Sequence, residues 1–256
     1  MIIAVTSPVP GVGRTLISVN IANRLHALVG KQNGLNYTNI LDLNKSNDIS
    51  YYLNSAIISR GLDDFCRADQ LAMFKEEDGN AGTNFVRKVF TRAAEGLYFT
   101  GAPSEFKVTE DIAADFIDHS REVCRNTVID CGFGADKETR IFCDLADYVV
   151  VVLRQDKRST NTIAKQLAPF YAKYGQKLVF IINEYIGNMG TKVTFDEGEI
   201  KKEMLQARLN GKYFRLPVAP NLINDANDSV LLNYTNRKNE VYVEFLDNML
   251  KYLMGV

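Results

Sequence analysis

Apolar, β-branched runs alternate with helix-periodic stretches along most of this chain. The runs fall at residues 2–6, 39–43, 96–100, 127–130, 148–153, 177–182 and 213–216, and those at 148–153 and 177–182 ("YVVVVL", "KLVFII") are apolar almost throughout. That pattern predicts strands covered on both faces, as in a parallel sheet. Helical periodicity fits between them. Residues 15–29 set Ile17, Ile21, Leu25 and Leu28 on one side, and residues 110–125 do the same with Ile112, Phe116 and Val123. Further helices are predicted over 159–174, 199–209 and 239–254, the last with Val243, Leu246, Leu250 and Leu253 on one stripe. Such alternation predicts an α/β fold, doubly wound, with a mostly parallel central sheet flanked by helices. Residues 65–84, ending in "KEEDGNAGTN", read as a polar loop or insertion, and no linker interrupts 1–256, which reads as one domain.

Composition changes this picture little. The 256 residues are 46% hydrophobic and 24% charged, enough for a sizeable core, and the net charge of −1 gives no global pull toward nucleic acid or an anionic membrane. Cys66, Cys124, Cys131 and Cys143 show no C-x-x-C spacing, so reduced, packed thiols are expected rather than a metal site or disulfide framework. With only His26 and His119, a histidine-based metal or catalytic site is not expected. The opening "MIIAV" is too short for a leader and no run reaches the roughly 18 apolar residues of a membrane span. A soluble, cytoplasmic protein is expected.

The candidate chemistry lies directly after the first strand, in "VTSPVPGVGRTLISVN". A strand, a glycine-containing turn and a helix form the context of a phosphate loop. Amides at such a turn point toward an anion, and the helix dipole adds partial positive charge. Gly11 and Gly13 let the backbone wrap closely, Arg14 supplies charge for phosphates, and Thr15 offers a hydroxyl to Mg²⁺. The alternative is a strand–turn–helix connection that holds no ligand. Pro8, Val9 and Pro10 replace the usual glycines, and Arg14 stands where such a loop carries lysine, a compact point charge rather than a planar fork.

This segment resembles the opening of the MinD/ParA family of deviant Walker-A P-loop ATPases, with Ser7, Gly11, Val12, Gly13, Thr15, Asn20 and Ala22 matching. Further blocks follow in the family's order. "ILDLNKSND" resembles its second strand and switch I: Asp42 matches the first acid, and Asn44 stands at the second, which positions the attacking water. "TVIDCGFGAD" resembles the Walker B strand and switch II, with Asp130 at the acid that holds Mg²⁺ through water and Gly134 at the γ-phosphate-sensing glycine. "VFIINEY" carries Asn183 at the adenine-reading asparagine, and "FRLPVAPN" carries Pro217 at the anchor beside the base.

The resemblance implies an ATP site formed by Gly11, Val12, Gly13, Arg14, Thr15, Leu16, Asp42, Asn183 and Pro217, with Mg²⁺ held by Thr15 and Asp130. Read without it, Asp130 is an acid at a strand's carboxyl edge, Asn183 a turn cap, and Asp42 a loop carboxylate. Four family positions depart: Arg14 replaces the P-loop lysine, Val9 replaces the lysine that crosses to a partner subunit, Leu16 replaces a second threonine, and Asn44 replaces the water-orienting acid. Losing one transition-state contact costs a factor of about 10²–10³ in rate, so hydrolysis is expected to be weak or absent.

The implied function is nucleotide-dependent positioning of cellular cargo by a homodimer working with a protein partner or cargo adaptor. Degraded phosphate loops suggest the pilus-localising branch resembling TadZ/CpaE, although the receiver-like domain usual there is missing from this chain. The alternatives are a scaffold of the same fold that has lost nucleotide and localises a pilus, secretion or conjugation machine, and a ligase-like enzyme of the wider P-loop group. The densest basic stretch, Lys201, Lys202, Arg208, Lys212 and Arg215, is interleaved with Glu199 and Glu203 and reads as a solvated face, leaving DNA binding possible but unsupported. The tail carries Glu240, Glu244 and Asp247 against Lys251, which fits packing on the sheet or a partner rather than on a membrane.

Overall fold

The computed structural model describes residues 1–29, 37–44, 48–53, 61–70, 81–101, 107–186, 195–227 and 239–256. The chain runs β1 (Ile2–Ser7), α1 (Arg14–Val29), β2 (Thr38–Asp42), the short α2 (Asp48–Tyr52), α3 (Leu62–Gln70), α4 (Ala81–Val89), β3 (Thr91–Ala94), β4 (Leu97–Thr100), α5 (Glu110–Val123), β5 (Asn126–Phe133), α6 (Lys137–Leu145) and β6 (Tyr148–Arg154). It continues with α7 (Lys157–Thr162), a π-helical turn (Ile163–Leu167), α8 (Ala168–Ala172), β7 (Leu178–Tyr185), α9 (Glu197–Gln206), β8 (Lys212–Pro217), α10 (Pro220–Asn227) and α11 (Glu240–Met254).

The strands form one eight-stranded sheet in the order β3-β4-β2-β5-β1-β6-β7-β8. Every pairing is parallel except β3 with β4, so the doubly wound, mostly parallel sheet read from the sequence is the observed one. Alternate residues feed two cores. Ile3, Val5, Val150, Val152, Val179 and Ile181 pack with α1 and α11, and Ile2, Ala4, Val149, Val151, Phe180 and Ile182 pack with α3 to α9 on the other face. The tail helix is part of this structure: Tyr242, Leu246, Met249, Leu250 and Leu253 are buried. Asp247 accepts a two-pronged hydrogen bond from Arg24 of α1, with Nη2–Oδ2 at 2.6 Å.

Several elements differ from the sequence reading, which named no helix at α2, α4, α6 or α10. Part of the stretch read as a polar loop at 65–84 is helical: Phe65 and Cys66 of α3 are fully buried, and Phe65 meets Phe116 edge to face. Residues 71–80 of that stretch lie outside the described residues. The polar surface of α3, with Asp63, Asp64, Arg67 and Asp69, masked its narrow apolar face. The helix at 159–174 is interrupted by the π-helical turn at Ile163–Leu167, directly before Pro169, which has no N–H and whose ring opposes a regular ladder to the preceding turn. The edge strand β3 is short, half exposed and lacks an apolar run.

Asp136 caps α6, accepting from Thr139 N–H at 2.7 Å, and thereby fixes the direction in which the chain leaves β5. Asp136→Ala is expected to cost about 1 kcal/mol of stability, read as a shift of the urea midpoint at unchanged slope.

The four cysteines are buried and unpaired. Among the described residues no helix is long and apolar enough to cross a membrane. The basic stretch is largely neutralised in place, with Lys201 on Glu197 (2.5 Å), Lys202 on Glu199 (3.8 Å) and Arg215 on Glu197 (3.3 Å).

Candidate functional site at the carboxyl end of the sheet

The turn between β1 and α1 lies at the carboxyl ends of the parallel strands, where doubly wound sheets place their ligands. Both glycines adopt left-handed backbone, with φ of 78° at Gly11 and 83° at Gly13. Gly13 has a second constraint. A Cβ there would sit 2.5 Å from Asn183 Nδ2, because the Asn183 amide packs under the turn and donates to Val12 O at 2.9 Å. Gly13→Ala therefore brings both backbone strain and a displaced amide, and is expected to lower stability by about 1–3 kcal/mol in a denaturant titration.

The turn is open above. Among the described residues, the N–H groups of Gly11, Val12 and Gly13 have no hydrogen-bond partner. A cavity of about 380 Å³ covers the turn and is lined by residues including Gly11, Gly13, Arg14, Thr15, Leu16, Asn44, Tyr52 and Phe133. That volume falls within the roughly 300–1,000 Å³ of small-molecule sites.

Beneath the cavity, parallel pairing sets Asp42 of β2 directly beside Asp130 of β5. Both are essentially fully buried. Asp42 is pushed up to about 6, first by burial and then by the Asp130 charge, against hydrogen bonds from Asn44 and Ile49. Burial also raises Asp130, opposed by the Arg14 guanidinium and by the Thr15 and Ser18 hydroxyls.

Arg14 and Asn44 make this acidic pair tolerable. Arg14 Nε donates to Asp130 Oδ1 at 2.7 Å, and its Nη2 donates to Asn44 Oδ1 at 2.6 Å. Asn44 Nδ2 donates in turn to Asp42 Oδ1 at 2.9 Å and to Asp130 Oδ2 at 2.8 Å. Ser18 Oγ, one turn along α1 from Arg14, reaches Asp130 Oδ1 at 3.1 Å. An aspartate at position 44 would lose both donations and bring a third carboxylate against the other two. The unusual residues at 14 and 44 thus form one network, in which each occupies the other's hydrogen-bonding groups.

Most of the residues singled out in the sequence therefore converge here. Gly11, Gly13, Arg14, Thr15, Leu16 and Asn44 line the cavity, while Val12, Asp42, Asp130 and Asn183 lie beside or beneath the turn without lining it; Pro217 ends β8 opposite Tyr185 and joins neither group. Gly134, with φ 80°, donates its N–H to Ser7 O at 2.8 Å, tying the segment after β5 to the end of β1. Val9 is buried among apolar residues of the core. Ser18, Tyr52 and Phe133 were not foreseen. The signal for Ser18 is its helical spacing of four from Arg14, but Tyr52 and Phe133 reach the cavity only through the tertiary fold.

The chemistry of these groups separates two ligands. Free amides, the helix N-terminus and Arg14 fit a phosphate chain. A Mg²⁺ ion at Asp130 does not fit the arrangement: both carboxylate oxygens are engaged, and the ion would stand against a guanidinium. Among the described residues no cluster of three or more acidic, histidine or cysteine side chains forms an alternative metal site.

The fold is that of the ParA/MinD-type P-loop ATPases. A ParA family ATPase from Chlorobium tepidum aligns over 100% of this chain and 99% of its own with a TM-score of 0.75 at 15% identity. A chain of the MinC:MinD cell division protein complex of Aquifex aeolicus aligns over 97% of this chain and 95% of its own with a TM-score of 0.73 at 15% identity. The septum site-determining protein MinD of Pyrococcus horikoshii, complexed with Mg-ADP, aligns over 99% and 97% with a TM-score of 0.71 at 15% identity. No protein-family model matches the sequence, and no curated protein matches it either.

Proposed function

We propose that this chain is a nucleotide-binding positioning protein of the ParA/MinD kind, which grips ATP at residues 11–15 and hydrolyses it slowly or not at all. One observation carries the reading: the loop amides are without partners at a cavity of about 380 Å³, while the groups that would drive hydrolysis are replaced or engaged elsewhere. Asn44 has no carboxylate with which to orient water and spends its amide on Arg14, Asp42 and Asp130. Val9 offers no charge to a partner subunit. Binding rather than turnover then changes the protein's state.

Dimerisation and docking of a cargo adaptor complete the proposal. The solved MinC:MinD complex supports a protein partner for this fold, and the exposed Tyr51, Phe133, Ile186 and Val218 near the carboxyl ends of the strands supply apolar contact area. The TadZ/CpaE-like branch rests on the altered loop alone.

The test is equilibrium binding of a fluorescent ATP analogue alongside steady-state phosphate release. Saturable binding is expected, with turnover about 10²–10³ below that of an active ATPase of this fold assayed in parallel. Turnover equal to that enzyme's and lost in Asp130→Ala refutes the slow-hydrolysis half. Absence of binding leaves the second reading, a nucleotide-free scaffold, which the internal pairing of Arg14 also favours.

A further inference from the structure

The mismatch between Asp130 and Mg²⁺ has a positive counterpart, which rests on the nucleotide reading above. In a Mg²⁺-dependent phosphate site, a carboxylate holds the ion that neutralises the phosphate chain. Here the space in front of that carboxylate is taken by the Arg14 guanidinium, 2.7 Å from Asp130 Oδ1 and shielded to 11% side-chain exposure. A guanidinium has five N–H donors and does not lose its proton in proteins. Nε and one Nη2 hydrogen are used on Asp130 and Asn44, which leaves three donors on a side chain that lines the cavity beside the free loop amides. Asp130 thus orients a permanent cation instead of recruiting one from solution. Asn44 locks the second arm of the fork, so the cation is held in place before any ligand arrives.

We infer that Arg14 takes the place of the divalent metal, and that this site binds the phosphate chain of a nucleoside triphosphate without Mg²⁺. The metal-free tetra-anion is then the preferred ligand, because its charge is met by Arg14, the amides and the helix N-terminus.

The experiment titrates the full-length protein with a fluorescent ATP analogue, once with excess Mg²⁺ and once with EDTA, at equal ionic strength. The two dissociation constants are expected to agree within about threefold, or to favour EDTA. Tightening by Mg²⁺ beyond that factor overturns the inference and leaves the nucleotide reading standing, whereas no binding in either buffer overturns both. Arg14→Lys serves as the second arm. A single ammonium cannot fork between Asp130 and Asn44, so Mg²⁺ is expected to tighten its binding by about tenfold or more. Metal-independent binding that persists in Arg14→Lys overturns the assignment to Arg14.

Discussion

Arg14→Ala is expected to destabilise this protein more than any other single change in the site, by about 3–5 kcal/mol. The loss does not measure the strength of the ion pair. It arises because Asp130, with no exposed side-chain surface, loses its only cationic partner among the described residues and must either stay charged unpaired or take up a proton. Asn44 and Ser18 still donate to the carboxylate, but neither carries charge. For a chain of this size the fall in Tm is roughly 6–20 °C. Arg14→Ala combined with Asp130→Asn should recover most of it, because the burial penalty of the naked carboxylate disappears. A double-mutant cycle in urea reads the coupling directly. An Arg14→Ala protein within about 1 kcal/mol of the parent would show that the carboxylate is protonated or hydrated in place, and the site described above would need another charge balance.

The second large effect is a pH dependence opposite in sign to ordinary acid denaturation. Folding raises Asp42 from 3.8 to about 6. The folded chain therefore binds this proton more tightly than the unfolded chain. Burying the ionised group costs stability at neutral pH, and the cost is relieved as pH falls from about 6 toward 3.8. A shift of this size corresponds to about 3 kcal/mol. Other carboxylates titrate in the same range, so the measurement is a difference between wild type and Asp42→Asn across pH 4 to 7.5. Wild type should gain on the variant by about 2–2.5 kcal/mol as pH is lowered across that range. A difference that is flat with pH would mean that Asp42 ionises freely, contrary to its burial beside Asp130.

The same pair shows where sequence reasoning reaches its limit. Asp130 ends the run at 127–130 and Asp42 lies one residue inside the end of the run at 39–43, so their placement near the carboxyl ends of strands was legible. That the two runs are neighbours, in a register that brings the acids together, comes from pairing between distant segments. Nothing in the local spacing encodes it. The departures at 14 and 44 were equally visible as single residues. Read one at a time, they are missing catalytic parts. In the folded chain they are mutual partners, since Arg14 needs the Asn44 carbonyl and Asn44 spends its amide nitrogen on the two acids. Asn183 follows the same logic: its position at the end of β7 was legible, but its hold on Val12 O depends on where the β1–α1 turn lies.

The fold divides along similar lines. β1, β6 and β7 declare themselves because strands covered on both faces must be apolar at nearly every position. α3 escapes because its apolar face is narrow and its surface acidic, and β3 because a half-exposed edge strand needs no apolar run.

By itself, then, the amino-acid order determined the alternation of strand and helix, the glycine turn at the head of α1, and the set of polar residues at the sheet's carboxyl end. Those features follow from period, backbone freedom and solvent exposure, which act over a few residues at a time. Only the tertiary structure decided what those residues do to one another: which acids stand side by side, which base answers them, and which amides are left free. Charge and hydrogen-bond interactions of that kind depend on distances of a few ångströms between segments far apart in the chain, and those distances exist only once the sheet has closed.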